Sequence, residues 1–564
     1  MAQQHYDTII LGGGLAGLTL AMQLKQQNAE IKVLVLERRD GDALEGAHKV
    51  GESTVELATH YLREVLGLKD YLDEFQLPKH GLRFFFSPQH KNEIHKRVEL
   101  GPKVLLPVPS HQIDRGIFEN DLINMNLELG IDITMGAKVK DVVFGSDEHT
   151  VTYEVDGNPQ TLNSRWVVDA TGRGSFLKRK LGFTEIVNHD VNAAWFRVDW
   201  KIDIDDWSDD KKWHCHVEPG LRYLSTVHLM DNGYWVWIIP LVGEKTSIGI
   251  VADPAIHPFE NFNKLDKGLE WIAKNEPQLS EELKKEDGNI LDFKVMKHFA
   301  HGASELYSTD RWAVTGESGL FADPFYSPGS DFIAMANTWT ADLIQRDLNG
   351  EDIFFRTRFY SELNKVFYNN WMPLYIKQYP LWGKAQTMTA KIYWDWGAYW
   401  GMNTLIFTHD GLTNLELLRR VTAGKTSTLN RYGELSTQMQ QLFNDFGAFD
   451  TNNEFDTTYL DPFDIPLLQR LQEDIVEKEF ETEELHQKFD ENILLLEHFA
   501  AETFRLMSHH AHGTSIETEV DPYTMSLVGK HMESPNSKVL ARDEQIAMEL
   551  RKMWLYPYPV QETA

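Results

Sequence analysis

The spacing of hydrophobic and polar residues changes along the chain and divides it into three regions. Near the start, the apolar run YDTIIL (6–11) is followed by the helical pattern LTLAMQLKQQ (18–27) and a second apolar run, IKVLVLE (31–37). Between about 190 and 300, stretches such as AAWFRVDWKIDI and KTSIGIVA have the pattern of strands separated by turns. After about residue 345 the pattern becomes helical and aromatic. These periodicities predict a strand, a helix and a second strand near the start, strands in the second region and helices in the third.

We therefore predict an α/β fold with an attached helical region. Residues 1–345 are expected to form the core, with an antiparallel sheet at about 190–300 on the side where a substrate would lie. Residues 346–564 are expected to form a mainly helical C-terminal region that caps the pocket. With 564 residues, 42% of them hydrophobic, the chain is long enough for two or three packed lobes.

Composition excludes several classes of partner. Lys and Arg number 55 against 85 Asp and Glu, so the formal net charge is −30, and such a surface repels nucleic acid. Cys215 is the only cysteine, which excludes an intramolecular disulfide and fits a reducing cytoplasm. No apolar run approaches about 18 residues, so no membrane span is expected. His214 and His216 flank Cys215, but neighbours along a strand point to opposite faces, so we expect no metal site.

The amino-terminal pattern carries a dinucleotide-binding motif. Gly12, Gly14 and Gly17 follow the first predicted strand with the spacing G-x-G-x-x-G, and Glu37 ends the second. Glycines at these positions let the backbone approach a pyrophosphate at a helix N-terminus, and the terminal acid accepts from a ribose hydroxyl. The alternative is a glycine-rich turn without a ligand.

Four further stretches carry candidate chemistry. KVGEST (49–54) contains Gly51 in a turn that fits close passage of a flat ligand, and LPKHGLRFFF (77–86) puts Lys79 before an apolar strand. In YWVWIIP (234–240), Trp235 and Trp237 share one face of a strand. FADPFYSPGSDF (321–332) is either an ordinary turn before a helix or the wall of a reaction chamber. Taken singly, Lys79 is more typical of a lysine that reaches to water, and the tryptophans are equally typical of core packing.

Three segments resemble those of the FAD-dependent aromatic hydroxylases. They are HQIDRGIFENDL (111–122), RWVVDATGRGS (165–175) and RWAVTGESGLFADP (311–324). The resemblance implies a Rossmann-like, FAD-binding core in which Arg115, Asp169, Gly172, Gly316 and Glu317 hold FAD. Since there is no second G-x-G-x-x-G motif for a nicotinamide cofactor, we expect reduced FAD to arrive from a separate NAD(P)H-dependent flavin reductase.

Two signatures narrow the resemblance to the flavin-dependent halogenases. Trp235, Trp237, Ile239 and Pro240 match W-x-W-x-I-P, and FADPFYSPGSDF matches F-x-x-P-x-x-S-x-G through Phe321, Pro324, Ser327 and Gly329. Lys79 stands where that family has its catalytic lysine. The resemblance implies that FADH2, O2 and halide yield hypohalous acid, which Lys79 passes to a small aromatic substrate, free or tethered to a carrier protein. It also implies that halide lies by Ser327, Pro328 and Gly329, and that the tryptophan strand separates substrate from flavin.

Two departures from the tryptophan halogenases bear on the substrate. Tyr326 stands in place of a glutamate that assists loss of the ring proton, and Pro328 replaces a threonine and removes an N–H. A phenol needs that carboxylate less, because its own oxygen pushes electrons into the ring. We therefore expect chlorination or bromination of a phenolic ring. Asp331 and His80 are further candidates for a base, although a structural role is the stronger interpretation of each. The alternatives are a halogenase of an indole or pyrrole, an aromatic hydroxylase, and a non-catalytic flavoprotein.

Overall fold

The computed structural model describes residues 5–86, 88–285, 288–451, 455, 458–476, 480–513, 519–529 and 533–557. Its strands are β1 His5–Leu11, β2 Val33–Leu36, β3 Leu77–Pro78, β4 Leu82–Phe85, β5 Glu99–Leu100, β6 His111–Gln112, β7 Asp132–Thr134, β8 Lys138–Val143, β9 His149–Val155, β10 Asn158–Asp169, β11 Thr184–Ile186, β12 Asn192–Val198, β13 Thr226–Asp231, β14 Tyr234–Leu241, β15 Lys245–Ala252, β16 Ile290–Lys297, β17 His301–Ala303, β18 Tyr307–Ser308, β19 Trp312–Val314 and β20 Tyr459–Leu460.

Helices dominate the second half of the chain, as the sequence predicts. The α-helices are α1 Leu15–Gln27, α2 Glu56–His60, α3 Lys69–Phe75, α4 Arg115–Glu128, α5 Phe176–Leu181, α6 Lys211–His214, α7 Leu265–Asn275, α8 Pro277–Leu283, α9 Gly329–Leu348, α10 Phe354–Trp371, α11 Ala385–Ala398, α12 Leu405–Thr408, α13 Leu415–Thr422, α14 Thr428–Phe446, α15 Pro466–Glu473, α16 Thr482–His512 and α17 Glu544–Leu550. None of these helices, in the part of the chain that the structure describes, is long and apolar enough to cross a membrane.

The first sheet is the predicted Rossmann-like layer. Its strand order is β18-β19-β10-β1-β2-β7, and β1 pairs in parallel with both β2 and β10. The register puts Leu11 opposite Leu36 on one side and opposite Asp169 on the other, and Asp169 opposite Val314. The carboxyl ends of four parallel strands therefore lie in one row, which is where such sheets bind nucleotides.

The second sheet confirms the antiparallel layer expected at about 190–300 and extends it. Its order is β16-β12-β15-β14-β13-β4-β5-β20, so β4 and β5 join it from earlier in the chain and β20 joins it from the C-terminal region. Along β14, Trp235 and Trp237 pack into one apolar cluster, while Val236 and Ile238 pack into another. The period-two pattern thus separates two cores, because successive strand side chains face opposite sides.

One glycine makes room for the tryptophan strand. Gly249 of β15 lies directly opposite Trp237 in the register, and a Cβ there would overlap the indole ring. The Gly249→Ala variant should therefore lose about 1–3 kcal/mol of unfolding free energy, the usual cost of overfilling a packed core. Chemical denaturation followed by tryptophan fluorescence measures this loss.

A matched substitution separates overfilling from the general effect of replacing glycine. Gly268 lies in α7, where a Cβ would be 3.6 Å from the nearest atom, on Phe293. Because alanine favours helix over glycine by roughly 0.8–1 kcal/mol, Gly268→Ala should be neutral or stabilising. Equal stability of the Gly249→Ala variant and the unmutated protein would contradict the proposed fit of Trp237.

Candidate active site

The glycine turn after β1 is built for close approach. Gly12 has a φ of +109°, and a Cβ there would overlap the carbonyl of Ala170. A Cβ on Gly17 would overlap the Gly12 carbonyl, so α1 can pack this tightly on the strand only with glycine. Glu37 accepts a hydrogen bond from Gly13 N at 2.6 Å. The predicted acid therefore lies beside the turn, as the sequence motif requires.

A cluster of charges surrounds the start of α1. Arg115 donates to Val50 O at 2.9 Å and pairs with Glu119, one turn further along α4. Glu119 is fully buried and also contacts His48 at 2.9 Å and Lys49 at 3.1 Å. Burial alone would raise the pKa of Glu119, but Arg115, the hydrogen bond from His48 and the charge of Lys49 lower it below its ordinary value. Sequence reasoning missed Glu119, although its spacing of four from Arg115 on a predicted helix was a usable signal.

The remaining predicted cofactor residues lie at the same sheet edge. Asp169 accepts from Thr171 N at 2.9 Å and from Leu177 N at 2.7 Å, so its carboxylate holds the turn that carries Gly172. Gly172 has a φ of +58°, and a Cβ there would meet no atom within 4 Å.

Gly316 lies close by, with a φ of +59° and a packing contact to Ala16 of α1. Burial raises the pKa of Glu317, while Arg173, Arg115 and Lys49 oppose that shift. The last of the predicted cofactor-binding residues is Gly14, where a Cβ would lie against the Lys49 amine.

Helices α1 and α9 run parallel and begin at this edge. Asn337 donates to Ala16 O and Gln345 donates to Leu24 O, each at 3.1 Å, so contacts advance in the same direction along both helices. Both N-termini, which carry partial positive charge, therefore face the same end of the fold. Gly329 is the first residue of α9, and nothing lies within 4 Å of where its Cβ would be.

The segment before α9 has an unusual backbone. Tyr326 and Ser327 have φ values of +70° and +61°, a left-handed conformation that costs non-glycine residues about 1–3 kcal/mol each. Asp323 holds the turn from beneath: it accepts from Phe325 N at 2.9 Å, from Tyr379 at 2.8 Å and contacts His189 at 2.7 Å. FADPFYSPGSDF is therefore a constrained turn, which turns Tyr326 and Pro328 towards a cavity.

The tryptophan strand lies behind this turn. The Trp235 ring packs against Phe325 with 5.3 Å between centroids, and against Trp237 at 5.6 Å. Trp237 donates to Ser247 at 3.2 Å. Neither indole is among the residues that line the cavity of Lys79. The two tryptophans support the turn, and a role as a wall between substrate and flavin stays a prediction.

Lys79 opens onto a cavity on the other side of the turn. The cavity is partly open to solvent and brings together Lys79 with the acidic side chains of Glu56, Asp331 and Asp395. The other lining residues are mainly apolar or aromatic: Val55, Leu82, Pro102, Leu106, Tyr326, Pro328, Trp371, Leu374, Trp396, Tyr399, Trp400, Pro462 and Phe463. An aromatic ring fits such a lining, and the few polar groups can orient it.

Lys79 and the two carboxyl groups near it, Asp331 and Glu56, all have shifted pKa values, mainly because they are buried. Lys79 is 3% exposed and donates to Thr54 O at 2.6 Å, and burial lowers its pKa to about 7. Burial likewise raises the pKa of Asp331 to about 8, although Tyr399 and Ala58 N donate to it at 2.9 Å. Burial also raises the pKa of Glu56, which accepts from Trp400 at 3.1 Å. Lys79 can thus change protonation near neutral pH, and Asp331 can hold a proton there.

The sequence also singled out His80 and the cluster of His214, Cys215 and His216. Both ring nitrogens of His80 lie near backbone carbonyls, of Val104 at 2.8 Å and Leu221 at 3.1 Å, which supports a structural role. His214 ends helix α6, and Cys215 and His216 follow in a turn. The strand assumed for them was wrong, because Asp210 accepts from Trp213 N at 2.7 Å and so caps a helix.

Comparison with known proteins adds an independent view. A family model described as an FAD binding domain matches residues 5–247. A flavin-dependent halogenase of Dictyostelium discoideum, chlA, is 30% identical over 362 residues, a match that covers 59% of this chain and 58% of that protein. A brominase of Pseudoalteromonas luteoviolacea that acts on a pyrrole-2-carbonyl group on a peptidyl-carrier protein is 27% identical over 365 residues, covering 64% of this chain and 81% of that one.

A solved structure covers more of the chain. The halogenase PltM in complex with phloroglucinol and FAD superimposes with a TM-score of 0.60 and 16% identity, covering 88% of this chain and 96% of that one. At this identity the likeness establishes the fold alone, and that fold includes helices of the C-terminal half. FAD is the cofactor of the Rossmann-like layer.

FAD binding should depend on the absence of a side chain at Gly51. Gly51 has a φ of +98°, and a Cβ there would lie 2.8 Å from Arg115 Nη1. Gly51→Ala should displace Arg115 and weaken FAD binding roughly tenfold, equivalent to about 1.4 kcal/mol. Titration of protein into FAD, followed by flavin fluorescence, measures the affinity.

The control is a glycine with similar backbone conformation in a remote hairpin. Gly157 has a φ of +78° and no atom within 4 Å of a Cβ, so Gly157→Ala introduces backbone strain without touching Arg115. It should lower stability and leave FAD affinity unchanged. If both variants bind FAD as tightly as the unmutated protein, Gly51 and Arg115 do not contact the cofactor.

Proposed function

We propose that the chain, like the halogenase and the brominase that it matches, is a flavin-dependent halogenase, and that it chlorinates or brominates an electron-rich, phenolic ring. FADH2, O2 and halide are the co-substrates, and a separate NAD(P)H-dependent reductase supplies FADH2. The observation that carries the proposal is the buried amine of Lys79, which lines an aromatic cavity and donates to Thr54 O, in the same segment as Gly51. An aromatic hydroxylase has no need of that amine.

The residues at the sheet edge fit FAD. Open space lies in front of Gly172 and Gly329, and Arg115 Nε is buried without a hydrogen-bond partner among the described residues. Gly12 and Gly17 allow the tight turn and the close packing of α1, so that the backbone at Gly14 would face the pyrophosphate. Glu37 would accept from a ribose hydroxyl, and Gly51, Asp169, Gly316 and Glu317 would surround the rest. When bound and reduced, FAD supplies with O2 the oxidising power that converts halide into hypohalous acid.

The halide end is proposed at the start of α9. Ser327 offers a hydroxyl, and Gly329 offers an N–H in open space at a helix N-terminus. Pro328 has no N–H and instead lines the cavity beside Lys79. Hypohalous acid formed by the Ser327 side would therefore have only the width of this turn to cross before it meets Lys79.

Lys79 suits the transfer for a physical reason. Free hypohalous acid reacts indiscriminately, so the oxidant needs a group that holds it away from water. With a pKa of about 7, Lys79 offers both a protonated amine that can donate a hydrogen bond and a neutral amine that can form a haloamine. Glu56 and Asp331 can exchange protons with it within the cavity.

The proposed substrate class rests on the residues that line the cavity and on Tyr326 and Pro328, the two departures from the tryptophan halogenases. Trp371, Trp396 and Trp400 offer flat apolar surface, and a phenol is activated by its own oxygen. PltM binds phloroglucinol, a phenol, on the same fold. Carrier-tethered pyrroles, as used by the Pseudoalteromonas relative, are the second candidate. Product mass spectrometry with phloroglucinol, indole and pyrrole under mixed chloride and bromide distinguishes these classes.

The role of Lys79 predicts opposite effects on activity and stability. Lys79→Met should abolish halogenation and leave FAD affinity intact. It should also raise the unfolding free energy at pH 7 by about 1–4 kcal/mol, the usual gain when a buried ion becomes apolar. Because the folded-state pKa is about 7 and the ordinary value 10.5, the unfolded chain binds more protons between these pH values. The gain should therefore be largest at pH 7 and below and should shrink as pH approaches 10.5.

A second buried lysine provides the control. Lys178 is 2% exposed, donates to Gly319 O at 2.8 Å, and burial lowers its pKa to about 8. It is not part of the lining of the cavity, so Lys178→Met should retain halogenation. Full activity of the Lys79→Met variant would contradict the proposed transfer, and a hydroxylated rather than halogenated product of the unmutated enzyme would favour the hydroxylase alternative.

A further inference from the structure

A second group of buried charges reaches the cavity from the C-terminal region. Asp395 of α11 is 4% exposed and lines the cavity. Its two oxygens accept from three donors: Gln440 at 2.8 Å, Lys391 at 2.7 Å and the hydroxyl of Tyr326 at 2.9 Å. Lys391 also donates to Gln440 at 2.6 Å. Asp395 is thus a fully hydrogen-bonded carboxylate whose contact at the cavity is the Tyr326 hydroxyl.

Such a pair is expensive to bury and gives little stability in return. A buried ion pair loses its hydration, and an apolar pair of similar volume is often as stable or more stable. The position of Asp395 on the cavity that Lys79 also lines therefore calls for a chemical explanation. Tyr326 links the two regions of the chain, because it lies on the strained turn before α9 and bonds to a helix of the C-terminal half.

We propose that Tyr326 and Asp395 form a proton relay that accepts the hydroxyl proton of a phenolic substrate during halogenation. This inference rests on the proposed function. The substrate hydroxyl donates to Tyr326 Oη as Tyr326 passes its own proton to Asp395. The relay supplies, from a helix of the C-terminal region, the carboxylate that the turn itself lacks at position 326.

The charges around Asp395 suit a proton acceptor. Burial raises the pKa of Asp395, while Lys391, Tyr326 and Gln440 oppose that shift through their hydrogen bonds. A carboxylate of raised pKa accepts a proton from a phenol more readily than one in water does. Burial and the nearby Asp395 hold the pKa of Tyr326 well above its ordinary value, so Tyr326 stays protonated and transmits a proton without becoming an anion. The other titratable groups that face Asp395 are Tyr375 and Tyr432.

The proton balance closes without any further reagent. Hypohalous acid loses its O–X bond as the ring carbon gains a C–X bond, and hydroxide leaves. The phenol proton passes to the relay at the same time, which leaves a ring ketone instead of a cation. The ring proton then goes to the hydroxide to form water, and Asp395 returns the stored proton through Tyr326 to the oxygen. The net reaction consumes arene and hypohalous acid and yields haloarene and water.

The test compares a phenol with its methyl ether, because the ether has an equally activated ring and no hydroxyl proton. The probes are phloroglucinol and 1,3,5-trimethoxybenzene, with the FAD-loaded enzyme, reductant, O2 and bromide. Asp395→Asn should slow bromination of phloroglucinol on the order of 10²–10⁴-fold, the usual contribution of a positioned base. The rate of bromination of the ether should differ less than about threefold between the variant and the unmutated enzyme, because the ether has no hydroxyl proton for either enzyme to remove.

Two further variants guard against simple loss of structure. Asp395→Asn leaves the Lys391 ammonium buried without its carboxylate. The double variant Lys391→Met/Asp395→Asn removes both charges, and it should also lose activity on the phenol while keeping activity on the ether. Tyr326→Phe keeps the ring and the ion pair but removes the bridging hydroxyl, and it should reproduce the same selective loss. Thermal unfolding and FAD titration of each variant report whether the fold and the cofactor site survive.

The control variant is Asp450→Asn. Asp450 is also buried and bonded to α11, through Thr387 N at 2.9 Å, and accepts from Tyr556 at 2.6 Å, but it does not line the cavity. It should leave the ratio of the two rates unchanged. Equal slowing of phenol and ether by Asp395→Asn or Tyr326→Phe would overturn the relay and leave the halogenase function standing. If the unmutated enzyme brominates neither probe, the proposed phenol-halogenase function fails, and the relay fails with it.

Discussion

The hydrogen bond from the Lys79 amine to the Thr54 carbonyl, 2.6 Å long, is the constraint around which the site is arranged. It fixes a buried amine at the segment that runs from Gly51, beside Arg115, to Val55 and Glu56, which line the cavity. An amine buried this deeply is costly, and the surrounding carboxyls offset only part of that cost. The amine retains a pKa of about 7, which is close to the pH at which a group can both donate and accept a proton.

The two helices that run parallel from the sheet edge set the geometry around that bond. Because α1 and α9 run in the same direction, the glycine turn and the Ser327–Gly329 turn lie towards the same end of the fold, and the strained backbone at Tyr326 and Ser327 directs Tyr326 and Pro328 to the cavity. The tryptophan strand stabilises this turn through Phe325. Helix α11 closes the far side of the cavity with Asp395 and Trp396, so the cavity depends on both halves of the chain.

Local pattern was enough to predict the frame of the fold. The glycine motif, the parallel strands and the alternation of Trp235 and Trp237 depend on neighbours in the sequence, and the structure has each of them. The convergence of Lys79 with Asp331 and Asp395 depends on tertiary packing across hundreds of residues, and no local period carries it. Asp331 was judged more structural than functional from sequence, yet it lies in the cavity of Lys79 with a pKa of about 8. The helix at His214 was missed because the cap at Asp210 outweighed the apparent strand pattern.

A crystal soaked with a brominated phenol can show whether the cavity of Lys79 holds the substrate. Crystals of the FAD-bound protein soaked in 4-bromophenol can be recorded at the bromine absorption edge, where the anomalous signal locates the bromine atom. We expect a bromine peak inside the cavity bounded by Lys79, Glu56 and Asp331, with the ring among the tryptophans and its hydroxyl towards Tyr326. A peak on the FAD side of the Ser327–Gly329 turn, or a cavity that takes up no bromophenol while FAD is bound, would contradict the assignment of this cavity as the substrate site.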